Sequence, residues 1–354
     1  MRKIFSWFCF VLPTYLVSLP AETDPSLSSN PNYLYEETQN PIDLPRYAPS
    51  PSWNFSFGSG LVYWKANHTP GIGEMKQNRR SMRTKNVKQD YSYHPGLQFF
   101  VVYSPNEELW DATCTYTWYR SLTDQVLQTK NTQVSIPHVF ETDMKTQFAS
   151  LDWLVQLDLF DAELGKEFVF EETWICRPFI GSRFYVLDQQ FAIEATSFPF
   201  VQLMEPREFD LVVLSQHSEY SSQSWALGTR FGVDVHALLG YGVRAFLNTS
   251  GSILYFDCSD NYRYETNTLG ESKKFHLEQD EFLRTNLEMS TGFGWGGLLA
   301  QDRIYLDISA LFDLKAFNGH HLFYSNSFVK KNQVDEEYGN LYLIGATLRL
   351  RFDF

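Results

Sequence analysis

Few side chains in this sequence are arranged to make or break bonds. Serine is plentiful and eight histidines are present, among them His94, His138, His217, His236, His320 and His321. No GxSxG nucleophile elbow and no HExxH zinc helix accompanies them. His320 and His321 are adjacent, so on a strand they point to opposite faces and make a poor metal pair. Cys9 lies in the N-terminal apolar stretch, leaving Cys114, Cys176 and Cys258. Three thiols cannot form a complete internal framework, and their spacing matches no zinc motif. The expectation is a chain without catalytic residues, metal or cofactor.

Charge offers a different chemistry. Asp111, Asp152, Asp158, Arg230, Asp234, Arg244, Arg284, Glu288, Asp307, Asp313, Arg349 and Arg351 each sit in a stretch where polar and apolar residues alternate. Gathered on the inside of a cylinder, these groups would line a lumen and set a field that sorts ions or small polar solutes. The other use of the same residues is a polar core whose charges pair across the interior and let nothing pass. A second cluster lies in "GEMKQNRRSMRTKNVKQD", where Lys76, Arg79, Arg80, Arg83, Lys85 and Lys88 face only Glu74 and Asp90. Such a loop can meet lipopolysaccharide phosphates or other polyanions, although charge runs commonly just face water. The chain as a whole carries a net charge of −13, which argues against nucleic acid as a partner.

The elements that position these groups follow from period-two patterning. In "WDATCTYTW", Trp110, Ala112, Cys114, Tyr116 and Trp118 share one face. In "LDWLVQLDL", Leu151, Trp153, Val155, Leu157 and Leu159 oppose Asp152, Gln156 and Asp158. The closing "GATLRLRFDF" sets Leu348, Leu350, Phe352 and Phe354 against Thr347, Arg349, Arg351 and Asp353. Ten such segments fall at about 53–66, 90–104, 108–120, 148–160, 167–188, 223–236, 240–256, 281–297, 302–316 and 338–354. Long connections follow the odd-numbered segments; short ones, including "SPNEE", "DAELGK" and "GLLAQD", follow the even-numbered ones. That alternation belongs to an antiparallel up-and-down cylinder with short turns at one end and long loops at the other. The stretch 189–222 could supply two further strands, making twelve the alternative.

Composition agrees. Aromatic residues make up 17% of the 354, while mean hydropathy is only −0.30. Beyond the N-terminus no run of 18 apolar residues provides a helical membrane span, so entry into a bilayer requires a closed barrel. Rings at the strand ends fit interfacial girdles. Residues 1–21 have the layout of a secretory signal, 22–52 read as a Pro-rich extended segment, and 53–354 as the transmembrane barrel. Phe352 and Phe354 resemble the C-terminal signal read by the outer-membrane assembly machinery.

The ordered set "FSFGSGLVYWKA", "YHPGLQFFVVY", "WDATCTYTWY", "LDWLVQLDLFDAELGKEF", "CRPFIGSRF" and "GATLRLRFDF" resembles the major-outer-membrane-protein-like, pore-forming family of Legionella and Chlamydia-related bacteria. The resemblance spans roughly residues 53–354. It implies an outer-membrane β-barrel that passes small solutes. The partners expected of such an all-β barrel are outer-membrane lipid and lipopolysaccharide, the barrel-assembly machinery and small solutes, with a homo-oligomer as one form of assembly. Chlamydial relatives are associated with disulfide-linked envelope networks, for which three thiols are few. A barrel serving only as a surface adhesin or envelope component is the alternative.

Overall fold

The computed structural model describes residues 55–69, 73–77, 83–87, 91–105, 110–128, 133–135, 146–171, 173–197, 200–204, 208–212, 215–267, 272–276, 282–299, 304–321 and 339–353. The segments read as signal and Pro-rich region, together with Arg79, Arg80, Lys88, His138 and Phe354, lie outside them.

Ten long strands form the wall: β1 (Phe55–Thr69), β2 (Tyr93–Tyr103), β3 (Trp110–Gln128), β4 (Thr146–Lys166), β5 (Trp174–Ser197), β6 (Ser215–Gly240), β7 (Val243–Asn267), β8 (Phe282–Leu299), β9 (Ile304–His321) and β10 (Gly339–Asp353). Each pairs antiparallel with its sequence neighbours, and β10 pairs with β1 from Ser56↔Asp353 to Thr69↔Asn340, so the sheet closes. Within the cylinder each of these strands has a partner on both sides, which removes the open edges of a flat sheet. The count is ten because "FAIEATS" continues β5, while Phe200–Met204 and Glu208–Val212 form a hairpin of their own outside the wall. "DAELGK", expected as a turn, is the end of β4; the connection to β5 carries a short strand, Phe168–Phe170, that pairs with Trp174–Cys176.

Register fixes the dimensions. Following directly paired residues around the wall from Ala245 through Phe293, Ala310, Leu348, Leu61, Leu97, Trp118, Asp158, Val186 and Trp225 returns to β7 at Asp257, twelve residues beyond the start. With about 3.3 Å per residue along a strand and about 4.8 Å between strands, that stagger tilts the strands by roughly 40°. The same geometry gives a backbone radius of about 10 Å. Side chains reaching inward from opposite walls then meet.

Two polarity patterns share the cylinder. Toward the end that carries Phe55, Asp353 and the short turns, the outer face is apolar: Phe57, Leu61, Phe99, Phe160, Ile180, Phe231, Leu287, Phe293, Phe312, Leu348 and Phe352 are exposed. Inward positions there are mostly charged or polar, with Phe100, Phe179, Phe246 and Leu311 among them. Toward the long loops the pattern reverses. Trp64, Trp153, Leu157, Leu187, Phe191, Phe256, Leu341 and Leu343 are buried inside, while Asp124, Asp152 and Glu194 face outward. The wall is therefore lipid-facing in one half and built like a water-soluble β-barrel in the other.

Strands β3 to β7 carry much of this second half and run past the boundaries expected for them; β5 reaches Ser197 and β7 reaches Asn267. Beyond the wall, Gly73–Gln77, Arg83–Val87 and Gln133–Ser135 form a three-stranded sheet from two of the long loops. Lys76, Arg83 and Lys85 of the basic cluster lie on its first hairpin, paired with Thr84, Gln77 and Met75.

Candidate functional site

The inward residues of the lipid-facing half surround a cavity of about 340 Å³. Its charged groups come from strands whose inward positions alternate with lipid-facing ones. On β5, Arg177 and Arg183 point in while Cys176, Ile180 and Phe184 point out. Arg177 donates to both carboxylate oxygens of Asp111 and, at 2.9 Å, to Asp234. Arg183 lies directly opposite Asp161 and donates to both of its oxygens, at 2.7 and 2.8 Å. It also reaches both oxygens of Glu288 at 2.8 and 2.9 Å. Glu288 further receives Arg230 and Lys315, each at 3.0 Å. Arg244 pairs with Asp307, and Arg351 with Asp353 at 2.6 Å.

Desolvating a guanidinium costs several kcal/mol unless nearly every donor finds an acceptor. Arg183, with no exposed side-chain surface, has four such bonds to two carboxylates. At the rim, outside the strands, Glu167 has its carboxyl raised by burial and then by Asp111, while Arg351, Arg177 and Arg244 oppose that rise.

Above the cavity the lumen is shut. The Trp64 indole donates to Asp313 at 3.0 Å, and the Tyr119 hydroxyl to the Trp64 carbonyl at 2.8 Å. His68 meets Trp153 edge to face at 4.9 Å between centroids. Gly319, at φ 72°, opens a bulge in β9 that turns His320 inward among Tyr185, Phe256 and Phe317. There His320 hydrogen-bonds the Tyr185 hydroxyl, and its carbonyl accepts from Gln189 at 2.7 Å. Trp64, Trp153, Tyr185 and Phe317 are at most 1% exposed, so this plug is dry.

Of the twelve expected lumen residues, Asp111, Arg230, Asp234, Arg244, Glu288, Asp307, Arg349 and Arg351 line the cavity. Asp313 is buried at its boundary with the plug, accepting from Trp64, Ser290 and Thr347. Arg284 points inward at plug level, 5.5 Å from the centroid of Phe256. Asp152 and Asp158 are corrections: both face outward, because the row Leu151, Trp153, Val155, Leu157 and Leu159 belongs to the plug. Asp158 instead joins Arg120 at 2.5 Å and the Tyr116 hydroxyl at 2.6 Å on the outer surface.

Arg177, Arg183, Asp161 and Glu163 went unassigned in the sequence reading. Arg177, Phe179, Gly181 and Arg183 of "CRPFIGSRF" share one face by parity, and that spacing was the available signal. Among the described residues Cys114, Cys176 and Cys258 form no disulfide. Phe352 is exposed on the outer face, as expected for the last strand. His236 meets Phe246 edge to face in the cavity wall, whereas His217 lies 3.5 Å from Glu194 near the long loops.

A closed antiparallel cylinder with an apolar outer belt and a charged half-lumen is a bacterial outer-membrane β-barrel. The family described as Legionella pneumophila major outer membrane protein precursor matches residues 47–353, and the chain belongs to that family. No curated protein matches it. Among solved structures, the outer membrane protease OmpT of Escherichia coli shares 8% identity over 85% of this chain and 97% of its own, with a TM-score of 0.31. The toluene transporter TodX of Pseudomonas putida shares 6% over 86% and 89%, at 0.27. A FadL homologue of Pseudomonas aeruginosa shares 8% over 85% and 90%, at 0.28. At these scores nothing about activity passes from them to this chain.

Proposed function

We propose that the protein is a porin-like outer-membrane conduit for small hydrophilic solutes or ions whose lumen rests closed. The observation that carries this reading is the division of the lumen into a charged vestibule of about 340 Å³ and a dry aromatic plug. Cylinders of about eight strands enclose only packed side chains, and wide aqueous channels need sixteen to eighteen. Ten strands give a half-open interior, so passage requires the plug side chains to move. The vestibule supplies the field that selects, and the plug sets how often anything crosses. Lipid and lipopolysaccharide surround the belt in this reading, and the assembly machinery engages the strand ending at Phe352 and Phe354.

Planar-bilayer recording of the refolded barrel tests it. Wild type is expected to give rare, brief openings. Trp153→Ala, which removes a side chain at 0% exposure from the plug, should raise open probability about tenfold or more, since a lost aromatic weakens packing by roughly 3–5 kcal/mol. Silence from both proteins, with folding verified by heat-modifiable mobility, overturns passage. In that case the second reading stands, favoured by the dryness of the plug: a closed platform acting through its long loops and the small sheet they form.

A further inference from the structure

We infer that the vestibule holds a specific binding site for a small monocarboxylate, anchored by Arg349. Arg177, Arg183, Arg230, Arg244, Lys315 and Arg351 each reach a carboxylate at ion-pair distance. Arg349 also lines the cavity, yet among the described residues it has no carboxylate within that distance.

Its position is built. Arg349, Gly60, Gln98 and Thr117 lie directly opposite one another across β10, β1, β2 and β3. A Cβ at Gly60 would stand 3.3 Å from the Arg349 Cγ and 3.5 Å from the Gln98 Cβ. The missing side chain lets Arg349 cross β1, where its Nε donates to the Gln98 Oε1 at 2.7 Å. The Gln98 Nε2 donates in turn to the Thr117 hydroxyl at 3.0 Å. The relay ties down Nε and leaves the two terminal nitrogens, a planar fork whose geometry matches both oxygens of one carboxylate. Ser309 sits opposite Arg349 on its other side.

Two further features choose the ligand class. Phe100 lies beside the guanidinium, 6.0 Å from ring centroid to guanidinium carbon, and Leu311 and Phe246 also line the cavity, so a short apolar body finds partners. Carboxylates on the remaining walls, including Asp161, Glu163 and Asp234, repel dianions. The ligand is therefore an organic monoanion in preference to phosphate. As the solute class of the proposed conduit, this rests on that reading; binding itself does not.

Equilibrium titration of the folded barrel in detergent micelles separates the two. Benzoate is the probe, with acetate, chloride and inorganic phosphate as comparison arms. Wild type should bind benzoate saturably and more tightly than the other three. Arg349→Gln should weaken benzoate by roughly tenfold or more, the scale of a lost charge-assisted pair, with Arg349→Lys in between because it keeps the charge and loses the fork. Gln98→Leu, which leaves the guanidinium charged and frees its Nε, should weaken benzoate without abolishing it. Equal binding by wild type and a folded Arg349→Gln variant overturns the assignment. So does chloride or phosphate competing as well as benzoate, or a folded wild type that binds none of the probes. Failure to conduct while benzoate still binds through Arg349 would remove passage and leave the site.

Discussion

Arg183 is where the interior depends most on one side chain. Replacing it with leucine removes both bonds it gives Asp161, which keeps Arg230 at 2.8 Å, and both it gives Glu288, which keeps Arg230 and Lys315. Removing one partner of a buried pair costs about 3–5 kcal/mol, because the other charge stays desolvated. Arg120→Leu is the control: its pair with Asp158 is 28% and 34% exposed, and pairs of that kind contribute about 1 kcal/mol or less. Urea unfolding of both variants in lipid should show the first midpoint falling far more than the second. Equal shifts would mean that the network is better hydrated than its burial indicates. Parity alone puts Arg177 and Arg183 of "CRPFIGSRF" on one face, but the pairing that makes Arg183's burial tolerable comes from strands far away in the chain.

Strand β4 shows how far period-two reasoning goes. Alternation located the strand and separated its residues into two faces correctly, yet it assigned those faces the wrong way round. The residues are the same whether an apolar row meets lipid or a plug, and nothing local in "LDWLVQLDL" distinguishes them; only the height of the segment relative to the bilayer does. A paired substitution checks the orientation. Leu157→Asp, which buries a carboxylate at 0% exposure without a prepared partner, should cost about 3 kcal/mol or more or prevent folding. Asp158→Leu should cost about 1 kcal/mol or less, the value of its exposed pair with Arg120. Were Asp158 the inward residue, the ranking would reverse. In β10, Arg349 and Arg351 do line the cavity, because they lie within the lipid-facing half, where charged means inside. Turn length was the weaker guide: "DAELGK" looks like a connection until Asp161 is seen opposite Arg183.

For the cylinder as a whole, closure, strand number and the alternation of short turns with long loops were legible, since each follows from counting along the chain. The twelve-residue stagger and the division of the lumen were not, because both arise from pairing between strands and from packing across the interior. One consequence concerns the join between β1 and β10. It is registered like every other pair, from Ser56↔Asp353 to Thr69↔Asn340, so the cylinder itself has no privileged first strand. Linking Phe352 and Asp353 to Phe55 through a short flexible tether, and opening the chain between Lys166 and Trp174 instead, should give a circular permutant with the same wall, plug and vestibule. Heat-modifiable mobility and protease resistance would report it. If the permutant folds in detergent but fails to assemble in cells, the order of strands serves biogenesis and not architecture; if it folds in neither, the β1–β10 seam is the step on which the rest of the cylinder waits.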